Sequence, residues 1–355
     1  MEIMTKDSLG RYQTFWKREE ADRPLLHITV PQYHTKADWD ALLPKSMEEE
    51  WEDVEARYRL ARFQMEHSRY YGDAFPTERA FLGSVCMSAM LGCDHQWMPH
   101  TVWFGVQEQL IKSWRDFDSL SLDKNSRIFQ IARDMFETFG RGLDGSYRLG
   151  MTDLGGNLDT LDPLRGTENL LMDLFDQPNE VMKAIEACDR FFEEAFTYFY
   201  KIITAHGQHG LSSWMGIWCD KPYFPLQSDF SAMISPDDFK KFVIPSLRRA
   251  TQFLDHSIFH LDGPAMIKHV DHLLALEELD GIQWTPGDGD AAIWDEKWFP
   301  LYEKIQVAGK NLVLLDVNNA EQILYLCDKL SWRGLFISAR LETEEECMKL
   351  KRIIK

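Results

Sequence analysis

Short apolar runs alternate with amphipathic stretches along most of the chain. That alternation is the pattern of an α/β fold with a parallel sheet. Eight runs read as strands: residues 25–30, 80–85, 147–152, 211–217, 257–260, 281–284, 311–315 and 334–338. Eight is the number that closes a (β/α)8 TIM barrel. Between them, residues 46–70, 125–139, 168–175, 178–206, 319–329 and 343–355 carry apolar positions at helical spacing. Ser235-Pro236-Asp237-Asp238 is a helix start: a capping side chain, a proline suited to the first turn, and acids that complement the dipole. Residues 1–24 read as an N-terminal arm. Residues 71–124, rich in aromatics and poor in clean periods, read as an irregular excursion from a single barrel spanning 1–355.

The 355 residues suffice for one large core, and no linker or low-complexity tract divides them. A formal net charge of -18 repels phosphate backbones, so nucleic acid is not an expected partner. No apolar run reaches membrane-spanning length and the start lacks a signal-peptide pattern, so the expected location is cytoplasmic. The six cysteines are scattered without a CxxC pair, so neither a disulfide framework nor a cysteine-rich metal site is expected. Cys93, Asp94, His95 and His100 match no strong metal spacing. No GxGxxG, Walker or GxSxG motif occurs.

In a parallel barrel the carboxyl ends of the strands converge on one cup, which directs attention to the residues there. Tyr33 and His34 follow the first strand; Asp153, Asn157 and Asp159 follow the third. Trp218 and Asp220, then Gln227 and Asp229, follow the fourth; Trp284 ends the sixth, Asp316 follows the seventh and Arg340 the eighth. His260 and Asp262 are the sharpest pair, because at i and i+2 on an extended segment both side chains point the same way. They could ligate a divalent metal or act as base and orienting group, and the competing account is a buried histidine satisfied by a carboxylate. His269 and His272 read as surface residues, and Trp214 reads as core. Trp218 and Trp284 are equally candidates for a ring-lined ligand site and for core filling.

The stretch Gly166-Thr167-Glu168-Asn169-Leu170-Leu171-Met172-Asp173-Leu174 with Gln177-Pro178 resembles the helix after the third strand in the uroporphyrinogen decarboxylase superfamily. Asp229-Phe230, Met233-Ile234-Ser235-Pro236, Phe239 and Phe242-Val243-Ile244-Pro245 resemble its Ser-Pro helix start. Asp280-Gly281-Ile282-Gln283 resembles the strand that follows. The likeness spans roughly residues 145–340 and implies a (β/α)8 barrel. His260-Leu261-Asp262-Gly263 stands where the family often has His-x-Cys-Gly. In the cobalamin-linked methyltransferase branch that motif holds zinc together with a cysteine after the last strand. Here Asp262 replaces the first cysteine, and the other place reads Ser338-Ala339-Arg340. An oxygen-rich site or a metal-free pair therefore fits better than a thiol-activating zinc. The family's arginine-rich loop after the first strand is replaced by Pro31-Gln32-Tyr33-His34, which leaves Arg340 as the visible cation for a substrate carboxylate.

The leading expectation is a methyltransferase-type barrel. It would act on a small methylated or methyl-accepting compound, with His260, Asp262 and Asp153 as catalytic groups and a separate corrinoid protein as partner. The alternatives are a decarboxylase like the family's namesake, with Asp153 or Asp262 facing the pyrrole, and a carbohydrate-binding or hydrolysing barrel using Trp218, Trp284 and Asp220. A homodimer is a further expectation, from the frequency of symmetric oligomers alone.

Overall fold

The computed structural model describes residues 4–32, 40–287 and 289–354. Its strands, in chain order, are β1 (Leu25–Pro31), β2 (Ser68–Gly72), β3 (Thr77–Arg79), β4 (His95–Met98), β5 (Thr101–Phe104), β6 (Arg148–Gly150), β7 (Tyr223–Leu226), β8 (His256–Asp262), β9 (Gly281–Thr285), β10 (Asn311–Leu314) and β11 (Leu335–Arg340). Seven of them form one sheet in the order β2-β1-β11-β10-β9-β8-β7, parallel throughout except for the β1–β2 pair. β3 and β6 form a second parallel pair, and an isolated parallel bridge joins Gly150 to Ser212. β4 and β5 make a small antiparallel hairpin within the region read as irregular.

Six of the eight expected strands appear near their expected places, and two do not. The second lies at Thr77–Arg79 rather than at 80–85. Residues 211–217 form no named strand: Leu211 turns back to bridge Cys219 antiparallel, through Gly216 at a positive φ of 71°. The strand comes later, at β7, a Tyr-Phe-Pro-Leu segment whose proline hides it from propensity. β7 pairs only with β8, and at such an edge the missing N–H of Pro225 costs no ladder bond. The expected helix at 46–70 is likewise broken, into Met47–Glu52 and Val54–Glu66, with Asp53 capping the second piece through the Ala56 amide at 2.8 Å; β2 takes up its end.

Because successive side chains alternate across a strand, the sheet has two faces of different character. Phe259 and Leu261 of β8, Ile282 and Trp284 of β9, Leu312 and Leu314 of β10, and Leu335 and Ile337 of β11 belong to one large core with the flanking helices. The opposite face carries Leu25, Tyr223, Ile258, Val313 and Phe336 toward the strand beginnings, and the N-terminal helix Lys6–Lys17 covers them with Tyr12, Phe15 and Trp16. That helix is tied down by Trp16 Nε1 donating to the Trp218 carbonyl at 2.8 Å and by Tyr12 donating to the Asp73 carbonyl at 3.1 Å. Asp73 is itself fully buried, held by both Arg23 and Arg11 and by the Leu26 amide. Further along the same face the residues turn polar: His27, Thr29, Ser338, Arg340, Gln283, Thr285, His260 and Asp262. The apolar half closes one end of the sheet, and the polar half lies at the strands' carboxyl ends.

Candidate active site

His260 stands on that polar face in register with Gln283 of the neighbouring strand, and Asp262 in register with Thr285. His260 Nδ1 makes a short hydrogen bond with Gln283 Oε1. The Gln283 amide is oriented in turn by its Nε2 donating to Thr285 Oγ1 at 2.8 Å. Since an amide oxygen can only accept, Nδ1 carries a proton in this bond, and in the neutral ring that leaves the lone pair on Nε2. The edge of the His260 ring meets Trp214, with centroids 5.1 Å apart at 87°.

Asp229 reaches the same place from the single 3-10 turn Asp229–Met233 that follows β7. That turn is built by other polar groups. The buried Asp159 carboxylate accepts from the amides of Asp229 and Phe230, both at 2.9 Å. His269 Nε2 donates to the Ser231 carbonyl at 2.9 Å, and the Ser228 and Ser231 hydroxyls pair at 2.7 Å. His269 is therefore not a surface residue: it is fully buried and stacked on Phe239 with centroids 4.3 Å apart, and burial lowers its pKa. The result is one constellation: ligand atoms of Asp229, His260 and Asp262 all lie within 4.8 Å of one another.

Asp153 follows β6, almost fully buried, with its backbone carbonyl accepting from Cys86 at 3.1 Å. Burial pushes its carboxyl up; Arg79 and His260 pull it down and Asp229 pushes it further, so all three lie within electrostatic reach. Asp159 is pushed well up by burial and then by Asp229, against the two amides that hold it. Asp229, although exposed at its surface, is also raised, first by desolvation of its carboxyl, with His260 opposing and Asp262 adding a smaller push. Carboxyls crowded in this way share their charge poorly, and a bound cation relieves them.

A cavity of about 620 Å³ is lined by His27, Thr29, Arg79, Trp214, Asp316 and Arg340 among others; Asp229, His260 and Asp262 are not in its lining, and Trp214, whose ring meets His260, stands between the two. Asp316 and Arg340 are thus on the cavity wall, as their strand-end positions suggest. A larger hollow of about 730 Å³ lies by the strand beginnings, where Arg18, Lys310 and Arg333 sit, but no cluster of metal-ligating atoms accompanies it among the described residues.

Asn157 and Gln227 brace the frame. Asn157 Nδ2 donates to the Gln227 carbonyl at 3.0 Å, tying the segment after β6 to the segment after β7, and both residues are buried. Tyr33 and His34 lie outside the described residues.

Three expected site residues are not part of the cup. Trp284 is completely buried on the helix-facing side of β9, its ring 4.8 Å from that of Trp298. The reason is parity: Gln283 and Thr285 face the cup, so the residue between them cannot. Trp218 is buried with Phe75 and the N-terminal helix, under the Arg148 guanidinium, at the strand beginnings. Asp220 accepts from Gln13 of that helix at 3.3 Å and is exposed there. Both follow from the hairpin at Leu211–Cys219, which turns the chain back before β7 begins. The residues missed were Gln283, Arg79, Arg57 and Trp214. Gln283 left a trace, as the single polar residue of the run Gly281–Trp284. The others carry no local signal.

In the Cys93–His100 region Asp94 accepts from the amides of Val106, Gln107 and Glu108 and braces that loop. All six cysteines are buried and unpaired. No helix among the described residues is long and apolar enough to cross a membrane.

No family model matches the chain, and no curated protein matches its sequence. Among solved structures, a methyltransferase from Methanosarcina mazei superposes with a TM-score of 0.62 at 12% sequence identity, over 99% of this chain and 98% of that one. The two share a fold. The superposition runs the full length, so the N-terminal helix and the β4–β5 region lie within the shared architecture.

Proposed function

We propose that the chain is a (β/α)8-barrel enzyme of the uroporphyrinogen decarboxylase type that transfers a methyl group from, or to, a small molecule bound in the 620 Å³ cavity. One observation carries the reading: Asp229, His260 and Asp262 form a three-donor constellation at the strands' carboxyl ends, with the His260 lone pair directed by Gln283. Three protein donors with a position left open is the composition of a catalytic rather than a structural metal site. One imidazole and two carboxylates suit a divalent cation of borderline or hard character. The donors lie within 4.8 Å of one another, against a roughly 3.4 Å edge for a tetrahedral site with bonds of about 2.1 Å, so binding would draw them together.

A cation held there would polarise the heteroatom that bears the methyl group. Asp153, whose raised pKa favours the protonated carboxyl, would supply the proton that the departing heteroatom takes up as its bond to carbon breaks. Trp214 and the cavity wall would exclude water from that step. The methyl acceptor would be the reduced cobalt of a separate corrinoid protein docking over the cup. The new bond to carbon would take its electron pair from the partner, while the pair of the broken bond would stay on the heteroatom that Asp153 protonates. The test is spectroscopic: with a reduced corrinoid protein and the correct methyl donor, the chain converts the cobalt(I) spectrum to that of methylcobalt(III), and His260→Ala does not. Failure of conversion across a broad panel of methyl ethers, thiols and amines would overturn the reading.

Decarboxylation keeps one supporting observation. Arg57, Arg79 and Arg340 line the cavity, so the cations that the first-strand loop lacks are supplied from the helix Val54–Glu66, from β3 and from β11. Incubation with the porphyrinogen, measuring released carbon dioxide, decides between the two. The carbohydrate reading loses its basis, because both tryptophans it relied on are sealed in packing layers.

A further inference from the structure

A separate hollow of about 290 Å³ lies against the helix Val54–Glu66, and none of Asp229, His260 and Asp262 lines it. Arg57, Leu60, Ala61 and Gln64 face it, and their i, i+3, i+4, i+7 spacing is one face of that helix. Met135 and Phe139, four apart on the helix Arg127–Arg141, add a second wall. Trp51 and Phe81 complete it, with ring centroids 6.0 Å apart. Trp51 is held rigidly: it stacks on Trp97 at 5.5 Å and 5°, and its Nε1 donates to the Met98 carbonyl at 2.9 Å. The space stays open because the inward helix face carries an alanine, Ala61, where a larger side chain would fill it. Its volume is at the lower end for small-molecule sites, which begin at about 300 Å³.

The two ends of the hollow differ. The inner end is closed by Arg57, whose guanidinium donates to the carbonyls of Trp51 at 3.2 Å and Phe81 at 2.6 Å. Burial lowers the Arg57 pKa to about 10, with Glu78 and Glu50 opposing. Arg57 and Phe81 also line the 620 Å³ cavity, so they stand as a partition between the two spaces. Toward solvent the lining is acidic, with Glu49 and Glu50 half-buried. Backbone amides fix both carboxylates: Glu49 accepts from Lys45 at 2.7 Å and Glu50 from His100 at 3.2 Å. The His100 imidazole stands 3.5 Å from Glu50, and neither carboxylate forms an ion pair with a lysine or arginine among the described residues.

We infer that this hollow is a second ligand site, taking a small organic cation: a primary amine on a short chain that ends in an aromatic ring. The ring lies against Trp51, Phe81 and Phe139, and the ammonium group stands at Glu49 and Glu50. Aromatic walls suit the edges and faces of another ring, and the paired carboxylates favour a cation over an anion of the same shape. The inference does not rest on the reaction assigned to the cup. An occupant nevertheless touches the partition, because Phe81 also carries the Arg79 guanidinium 4.7 Å over its ring.

The experiment is calorimetric titration of the full chain with three probes of similar size: phenethylamine, phenethyl alcohol and hydrocinnamate. The amine binds and raises the melting temperature by mass action. The alcohol binds about fivefold or more weakly, and the carboxylate more weakly still. Ala61→Phe fills the hollow and weakens the amine by about tenfold or more. Glu50→Gln, at the rim, narrows the gap between amine and alcohol and serves if the Ala61 variant does not fold. Asp229→Asn leaves the amine bound. Loss of the amine in Asp229→Asn with retention in Ala61→Phe would place it in the cup and overturn the inference. So would absence of amine binding, equal affinity for the alcohol or the carboxylate, or unaltered affinity in both pocket variants.

Discussion

Gln283 and His260 stand side by side on adjacent parallel strands, and the glutamine oxygen fixes which nitrogen of the histidine carries the proton. Neighbours of this kind commonly decide how well a histidine serves as a metal ligand or base, because they set both ring orientation and tautomer.

Gln283→Met keeps the volume and removes the acceptor. It is expected to weaken zinc or manganese binding by about 10–100-fold while leaving the melting temperature nearly unchanged. Equilibrium dialysis with elemental analysis measures this, and wild-type metal affinity in the variant would remove Gln283 from the site.

Trp284 and Gln283 are adjacent in sequence and face opposite ways, so their substitutions should separate cleanly. Trp284→Ala opens a hole in the helix-facing core and is expected to cost about 3–5 kcal/mol in denaturant unfolding. In the fraction that stays folded, metal affinity is retained. A Trp284 variant of full stability that lost metal or ligand binding would contradict the parity of β9.

The N-terminal helix is fastened through Asp73. Asp73→Ala strands Arg23 as a buried charge and releases Arg11 and the Leu26 amide, at an expected cost of about 3–5 kcal/mol. Hydrogen exchange should show residues of the helix Lys6–Lys17 opening first.

His27 makes stability pH-dependent in a defined direction. Burial lowers its pKa from 6.5 to about 4, with Gly216 and Asp73 opposing, so the unfolded chain binds the proton more readily. The stabilisation is complete above pH 6.5 and is lost as pH falls toward 4, amounting to about 3 kcal/mol over that window. The raised carboxyls of Asp153, Asp159 and Asp229 act with the opposite sign, so the comparison of wild type with His27→Gln isolates the term. The variant's unfolding curve should lack this part of the acid dependence, and identical pH dependence in the two proteins would refute it.

Local pattern made much of this fold legible. An apolar run buried on both faces identifies a strand without reference to any partner, so β1, β8, β9, β10 and β11 were visible in the order of residues alone. The i, i+2 placement of His260 and Asp262 likewise follows from strand geometry. β7 was not visible, because its proline is tolerated only by virtue of an unpaired edge, and being an edge is a property of the sheet.

The same division runs through the site. The sequence by itself determined the alternation of strand and helix, the acidic surface and the His260–Asp262 pair. Only the tertiary structure brought Asp229 to that pair, sent Trp218 and Trp284 away from it, and lined the cavity with Arg57 and Arg79. The physical reason is range. Periodicity fixes which way a side chain points relative to its own strand, over a few residues. Which strand ends, turns and helices then meet around one hollow depends on register between segments as far apart in the chain as Arg79, Asp153 and His260, and no local pattern encodes that register.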